Sequence, residues 1–234
     1  MTTKPERKSV QDMVYRQLRR EIMELELKPG AIMSANDVSQ RMTELLGISV
    51  SRTPAREAFL ALSREGLVDI EPQRGTFVSF IDVDSVKQER FVRATLEIGN
   101  LKLFLSMAGP DDFNRLDDKM EEQFGALQRG DLPGSLALDN EFHRIFFEVT
   151  GNKLCGKILS EHNGHYDRVR LMTLWDTALT NTTFQQHREL MAYVRQREAS
   201  MAEATLVRHL TKIHAEEIDL QNRYPEYFHR TEKR

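Results

Sequence analysis

The stretch Ser51-Arg52-Thr53-Pro54-Ala55-Arg56-Glu57-Ala58-Phe59, continuing through Leu62 to Glu65-Gly66-Leu67-Val68, decides how the first third of this chain is read. Ala55, Ala58, Phe59 and Leu62 stand at i, i+3, i+4 and i+7, the spacing of one buried stripe on a helix. Ser51 or Thr53 can cap that helix, Pro54 falls in its first turn, where a missing N–H does no harm, and Gly66 stops it. Then the rhythm changes. Leu67-Val68-Asp69-Ile70 and Thr76-Phe77-Val78-Ser79-Phe80 are short β-prone runs on either side of Glu71-Pro72-Gln73-Arg74-Gly75. They predict a hairpin with a basic, glycine-containing tip.

Upstream, Val10, Met13, Val14, Leu18, Ile22 and Leu25 recur every three or four residues and predict a helix ended by Lys28-Pro29-Gly30. Ser34 or Asn36 can cap a second helix that runs to Leu46 and ends at Gly47. Three helices and a small hairpin make a winged helix-turn-helix, assigned to residues 1–81. From Asp82 onward the pattern is helical, with candidate helices over 82–107, 110–129, 132–150, 153–174, 183–197 and 200–222. Gly109-Pro110, Gly130-Asp131 and Gly151-Asn152 punctuate them. The expected fold is therefore mainly α, with an antiparallel all-α bundle over residues 82–234 behind the winged domain.

Composition bounds the function. A chain that is 40% hydrophobic and 29% charged has the material for a packed core. No apolar run approaches the roughly 20 residues that span a bilayer, and the polar N-terminus does not resemble a signal peptide. Cys155 is the only cysteine, so no internal disulfide can form and a reducing cytoplasm is the expected setting. Residues 1–80 carry one excess positive charge and the rest four excess negative charges. That asymmetry has the sign expected of an N-terminal DNA-binding part, but it is too small to carry the argument alone.

The helix beginning near residue 52 has the make-up of a DNA-reading element. Arg52 and Arg56 share a side with Ser51 and Thr53, opposite the Phe59 stripe, where arginine can pair with guanine and polar groups with phosphate. Arg74 at the hairpin tip can reach a groove or a phosphate, and Gly75 allows close backbone approach. Spacing alone fits a solvated helix with surface arginines equally well. In the second domain, Asp139 and His143 lie four apart on one helix face and can chelate a divalent metal. His187 and His209, 22 residues apart across Arg197-Glu198-Ala199, come level if the chain forms an antiparallel hairpin there. Taken singly, each histidine fits a surface or capping position better. His162, His165, His214 and His229 are read in that way, the pair His162 and His165 being the nearest competitor for a metal.

The segment Ser51–Val78 resembles the signature of the GntR family of regulators over residues 10–80, with helix, turn and wing in the same order. That resemblance implies DNA contacts at Arg52, Thr53, Arg56, Arg74 and Gly75. The stretch from Val38 to Arg52 is longer than in most relatives. Arg93-Ala94-Thr95-Leu96-Glu97, Asp139-Asn140-Glu141-Phe142-His143, Thr150-Gly151-Asn152, His187-Arg188-Glu189 and Arg208-His209-Leu210 resemble the FCD effector domain of the FadR-type branch. This second resemblance implies a metal held by Asp139, His143, His187 and His209, with a small organic acid bound beside it. Arg93, and Arg168 or Arg170, are the implied acid contacts.

The resulting expectation is a non-enzymatic transcription regulator, a repressor, binding operator DNA as a homodimer, since one winged domain offers few contacts for a specific site. Its cofactor is zinc, nickel or manganese, and an acid bound near the metal tunes operator affinity. Two alternatives stay open: a sensor for the metal itself, and a metal-dependent hydrolase or lyase on the bundle. The latter lacks a general-base motif such as His-Glu-x-x-His and leaves the winged domain unexplained.

Overall fold

A computed structural model describes residues 9–211 and 213–229, without the side chains of residues 177–179 and 213–216. The side chain of His214 therefore lies outside the described residues. The chain divides into two compact units, residues 1–81 with 226–234, and residues 82–225. The described tail residues 226–229 belong to the first unit, whereas the sequence reading runs the second domain to the end of the chain.

In the first unit, α1 (Val10–Met23), α2 (Ala35–Leu46) and α3 (Arg52–Arg64) surround one apolar core. The Ser9 and Ser34 hydroxyls cap α1 and α2 by accepting from the backbone N–H groups of Asp12 and Asp37, each at 3.1 Å. Gly47 closes α2 in the left-handed region at φ 64°, where a side chain would be strained. Val14, Leu18, Ile22, Ala55, Ala58, Phe59 and Leu62 are buried together, as the three-and-four spacing requires. Glu21 of α1 is nearly buried and takes a bidentate pair from Arg41 of α2 at 2.6 and 2.7 Å, tying the two helices.

The hairpin is β2 (Val68–Glu71) with β3 (Gly75–Val78), paired antiparallel with Ile70 opposite Thr76. A third strand, β1 (Ile32–Met33), adds to the other edge of β3, giving the order β1-β3-β2. The sequence reading contains no such strand, because two residues are too few to show an alternation. At the far end of the chain, residues 226–229 lie along the end of this unit. Ile81 donates to the Tyr227 carbonyl at 2.9 Å and accepts from the His229 N–H at 3.0 Å.

The second unit is helical throughout its described residues: α4 (Val83–Met107), α5 (Pro110–Gln128), α6 (Leu132–Val149), α7 (Lys153–Glu161), α8 (Gly164–Thr173), α9 (Thr177–Gln196), α10 (Ala199–Thr211) and α11 (Ile213–Arg223). The single helix expected over 153–174 is two helices. Asn163 leaves the helical region at φ −131° and its amide donates to Asp167 at 2.6 Å, so Asn163-Gly164 breaks the segment. The segment expected over 200–222 is α10 and α11, with Lys212 between them outside the described residues. No described helix is long and apolar enough to cross a membrane.

α4 packs against α6, α8 and α10, and α5 against α6, around a core that includes Phe104, Phe142, Phe146, Leu190 and Leu206. The α9–α10 turn is tight. Arg197 takes φ 56°, its N–H reaches the Val194 carbonyl, and its guanidinium donates to the Leu105 and Ala108 carbonyls at the end of α4. This turn is what places α9 and α10 side by side.

Candidate metal centre and nucleic-acid interface

The surface of α3 opposite its buried stripe is polar and exposed, and it presents Arg52, Thr53 and Arg56. Arg74 and Gly75 sit exposed at the hairpin, with Gly75 at φ 132°, a conformation that side-chain-bearing residues rarely adopt. Arg74 pairs with Glu71 at 2.5 Å on an open surface, where such a pair adds little stability. The DNA-facing residues expected from the sequence thus form two exposed groups on one unit, each backed by a packed core.

In the second unit, four residues distant in sequence converge. Asp139 and His143 project from successive turns of α6, His187 comes from α9 and His209 from α10, and all four are buried. One donor atom from each lies within 4.8 Å of every other. His187 Nε2 is 3.2 Å from His209 Nε2 and 3.5 Å from Asp139 Oδ1, and His143 Nε2 is 3.7 Å from Asp139 Oδ2. An ion that binds imidazole nitrogen at about 2.0–2.1 Å needs donors roughly 3–4 Å apart, so the spacing fits a single divalent ion.

His143 supplies an independent sign. Its Nδ1 lies 2.6 Å from Glu97 Oε2 on α4, so the neutral ring carries its proton on Nδ1 and leaves Nε2 as an acceptor. That Nε2 is buried and has no hydrogen-bond partner. A lone pair held in this way, among a carboxylate and two further imidazoles, fits a metal ligand. Glu97 is itself held by Arg93 Nε at 2.6 Å. Burial opposes its ionisation, but the neighbouring His143 and Arg93 outweigh this and bring its carboxyl down to about 2. Asp139 is likewise pulled well below the usual carboxylate range: burial opposes ionisation, but Arg170, His187, His143 and Arg93 prevail. Gln186 Oε1 lies 3.2 Å from His209 Nδ1, giving a second imidazole an orienting partner.

Beside these residues is a narrow cleft lined in part by Arg93, Gln123, Asp139, Tyr166, Arg170 and His209. Arg170 reaches Asp139 and Asp167, and the guanidinium carbons of Arg93 and Arg170 lie 5.9 and 5.7 Å from the Tyr166 ring centre. Arg168 is completely buried elsewhere, donating to the Gly164 carbonyl at 3.2 Å, and does not line the cleft. His165 accepts the Asp82 N–H at 3.0 Å, a structural tie, while His162 is exposed. That pair therefore does not compete for a metal. Glu97, Gln123, Gln186 and Tyr166 were not among the residues singled out by the sequence, although Glu97 stands four residues after Arg93, a spacing that brings the two together on a helix.

One buried acid nearby gives a direct test of the packing around α8. Glu89 accepts the Tyr166 N–H at 2.7 Å, and burial pushes its carboxyl up from 4.5 to about 7. The folded chain therefore keeps a proton that the unfolded chain releases, so this contribution to stability is complete below about pH 4.5 and is lost as pH rises through 7. Glu89→Gln should be more stable than the parent at pH 8, by up to about 3 kcal/mol, with little difference at pH 4. Urea unfolding at the two pH values measures this.

Two family models cover the chain. Residues 10–78 match the family described as bacterial regulatory proteins, gntR family, and residues 90–212 match the FCD domain. The chain belongs to the GntR family. Among its relatives, the HTH-type transcriptional repressor RspR of Escherichia coli is 29% identical over 204 residues, covering 87% of each chain. An HTH-type transcriptional regulator of Streptomyces ambofaciens is 30% identical over 215 residues, covering 92% of this chain and 88% of its own. Among solved structures, E. coli McbR/YncC superposes with a TM-score of 0.71 at 19% identity, covering 92% of this chain and 99% of its own. A GntR regulator from Rhodococcus sp. RHA1 gives 0.75 at 19% identity, over 89% and 97%. These structures have the same fold. This GntR protein is a DNA-binding transcription regulator of the FadR type, with an FCD effector domain.

Proposed function

We propose that this regulator is a repressor whose grip on its operator is set by a small organic acid bound beside a divalent metal in the FCD domain. The observation that carries the reading is the convergence of Asp139, His143, His187 and His209 at one point that adjoins a cleft holding Arg93 and Arg170. Carboxylate with imidazole suits zinc, nickel or manganese. Such an ion, held by these four residues, would supply a positive centre that attracts a carboxylate. Arg170 and Arg93 add fixed positive charge at the same wall, and Glu97 and Gln186 orient the imidazoles.

The winged unit supplies the DNA contacts, Arg52, Thr53 and Arg56 from α3 and Arg74 and Gly75 from the hairpin. One such unit gives few base contacts, so specific binding calls for a homodimer on a two-fold site. The protein acts in the cytoplasm, where that DNA is, and as a switch rather than a catalyst. Calorimetry with lactate, malate, succinate and propionate, run on zinc-loaded protein and again after complete metal removal, tests the link. Acid affinity should fall at least about tenfold without the metal, a loss of some 1.4 kcal/mol. Equal affinity in both states would separate acid from metal and contradict the reading.

A further inference from the structure

The wall of the cleft contains a hydrogen-bond acceptor that the protein leaves unused. Gln123 of α5 is almost completely buried, and its Nε2 donates to Asp139 Oδ1 at 3.2 Å. The bond fixes the orientation of the amide, because the reverse placement would set a carbonyl oxygen against a carboxylate oxygen. Oε1 is thereby left buried at the lining of the cleft with no hydrogen-bond partner. Buried carbonyl oxygens without partners are rare, since losing water without replacement is costly.

Several donors that line the cleft are engaged elsewhere. Arg93 Nε is on Glu97, Arg170 is on Asp139 and Asp167, and the Thr173 hydroxyl donates to the Arg170 carbonyl. A simple carboxylate brings acceptors only, which Arg93 and Arg170 suit but Gln123 Oε1 does not.

We propose that the acid taken by this cleft is a hydroxy acid, its hydroxyl donating to Gln123 Oε1 while its carboxylate lies toward Arg93 and Arg170. The inference rests on the reading of the cleft as an acid site and adds the group that selects among acids. A site built to receive a hydroxyl rejects the analogue that lacks it, because the buried acceptor is then left unpaired.

Matched pairs test it: malate against succinate, and lactate against propionate, titrated by calorimetry into full-length zinc-loaded protein and into Gln123→Leu. The expected result is that the parent binds the hydroxy acid of at least one pair about tenfold or more tightly than its deoxy partner. In Gln123→Leu the two members of that pair should come within about twofold, through loss of affinity for the hydroxy acid. Equal binding of both members by the parent would overturn the proposal and leave the acid site standing. A preference that survives Gln123→Leu would assign the hydroxyl to another group and overturn it too. An equal loss of both acids in the variant would show Gln123 serving Asp139 alone, with the same consequence. If none of the four acids binds the parent, the acid-site reading itself fails.

Discussion

Replacing His143 by alanine should leave the protein unable to retain a divalent ion. Removing an outer partner of a metal ligand costs about 10–100-fold in affinity, and removing a ligand costs more, so a loss beyond about a hundredfold is expected. Glu97→Gln, which keeps an acceptor for His143 Nδ1–H but removes the charge, should fall inside the smaller range. The order matters more than either value. Competition with a chromophoric chelator, using zinc, nickel and manganese in turn, reads both variants on one scale. His143→Ala binding as tightly as the parent would remove His143 from the site, and Glu97→Gln losing as much as His143→Ala would make Glu97 a ligand.

The second large effect is on DNA. Arg52 and Arg56 are exposed on α3, away from Ala55, Ala58, Phe59 and Leu62, so their removal leaves the winged core untouched. If each pairs with a guanine, alanine at either position should weaken binding to the cognate duplex by roughly 1–3 kcal/mol, and relax specificity at one base pair. Loss of a phosphate contact alone would instead weaken all sequences alike and lower the salt dependence. Fluorescence anisotropy against cognate and scrambled duplexes at two salt concentrations distinguishes the two. Unchanged affinity for both variants would move the reading face off α3.

The winged unit was legible in the sequence because its signals are local. The stripe Ala55–Leu62, the cap Ser34, the stop at Gly47 and the turn at Arg74-Gly75 each act within a few residues of chain. β1 was not legible, since Ile32–Met33 is a strand only by virtue of β3 beside it. In the second unit, helical spacing allows Asp139 and His143 one face and a turn near Arg197 allows His187 and His209 one level, but the selection of these four rested on the resemblance to the FCD domain. The break at Asn163-Gly164 had a signal, the Asn-Gly pair itself, that the apolar periodicity on both sides outweighed. Glu97 and Gln123 come from α4 and α5, and their place beside Asp139 and His143 of α6 depends on how three helices pack, which no spacing within one helix conveys. Arg168 and Arg170 show the same limit: two residues apart on α8 they diverge, one into the cleft and the other to the Gly164 carbonyl.

We propose that occupancy of the Asp139–His143–His187–His209 site governs operator affinity. It is tested most directly by anisotropy titration of a labelled operator duplex, recovered by selection with the protein itself, against zinc-loaded parent and Asp139→Ala in rising concentrations of an acid that calorimetry shows to bind. The acid should weaken parent binding by a coupling energy of about 1–3 kcal/mol, a factor of roughly 5–150. Asp139→Ala should hold the duplex with the affinity of the acid-free parent at every acid concentration. An equal shift in both proteins, or none in the parent at saturating acid, would contradict it.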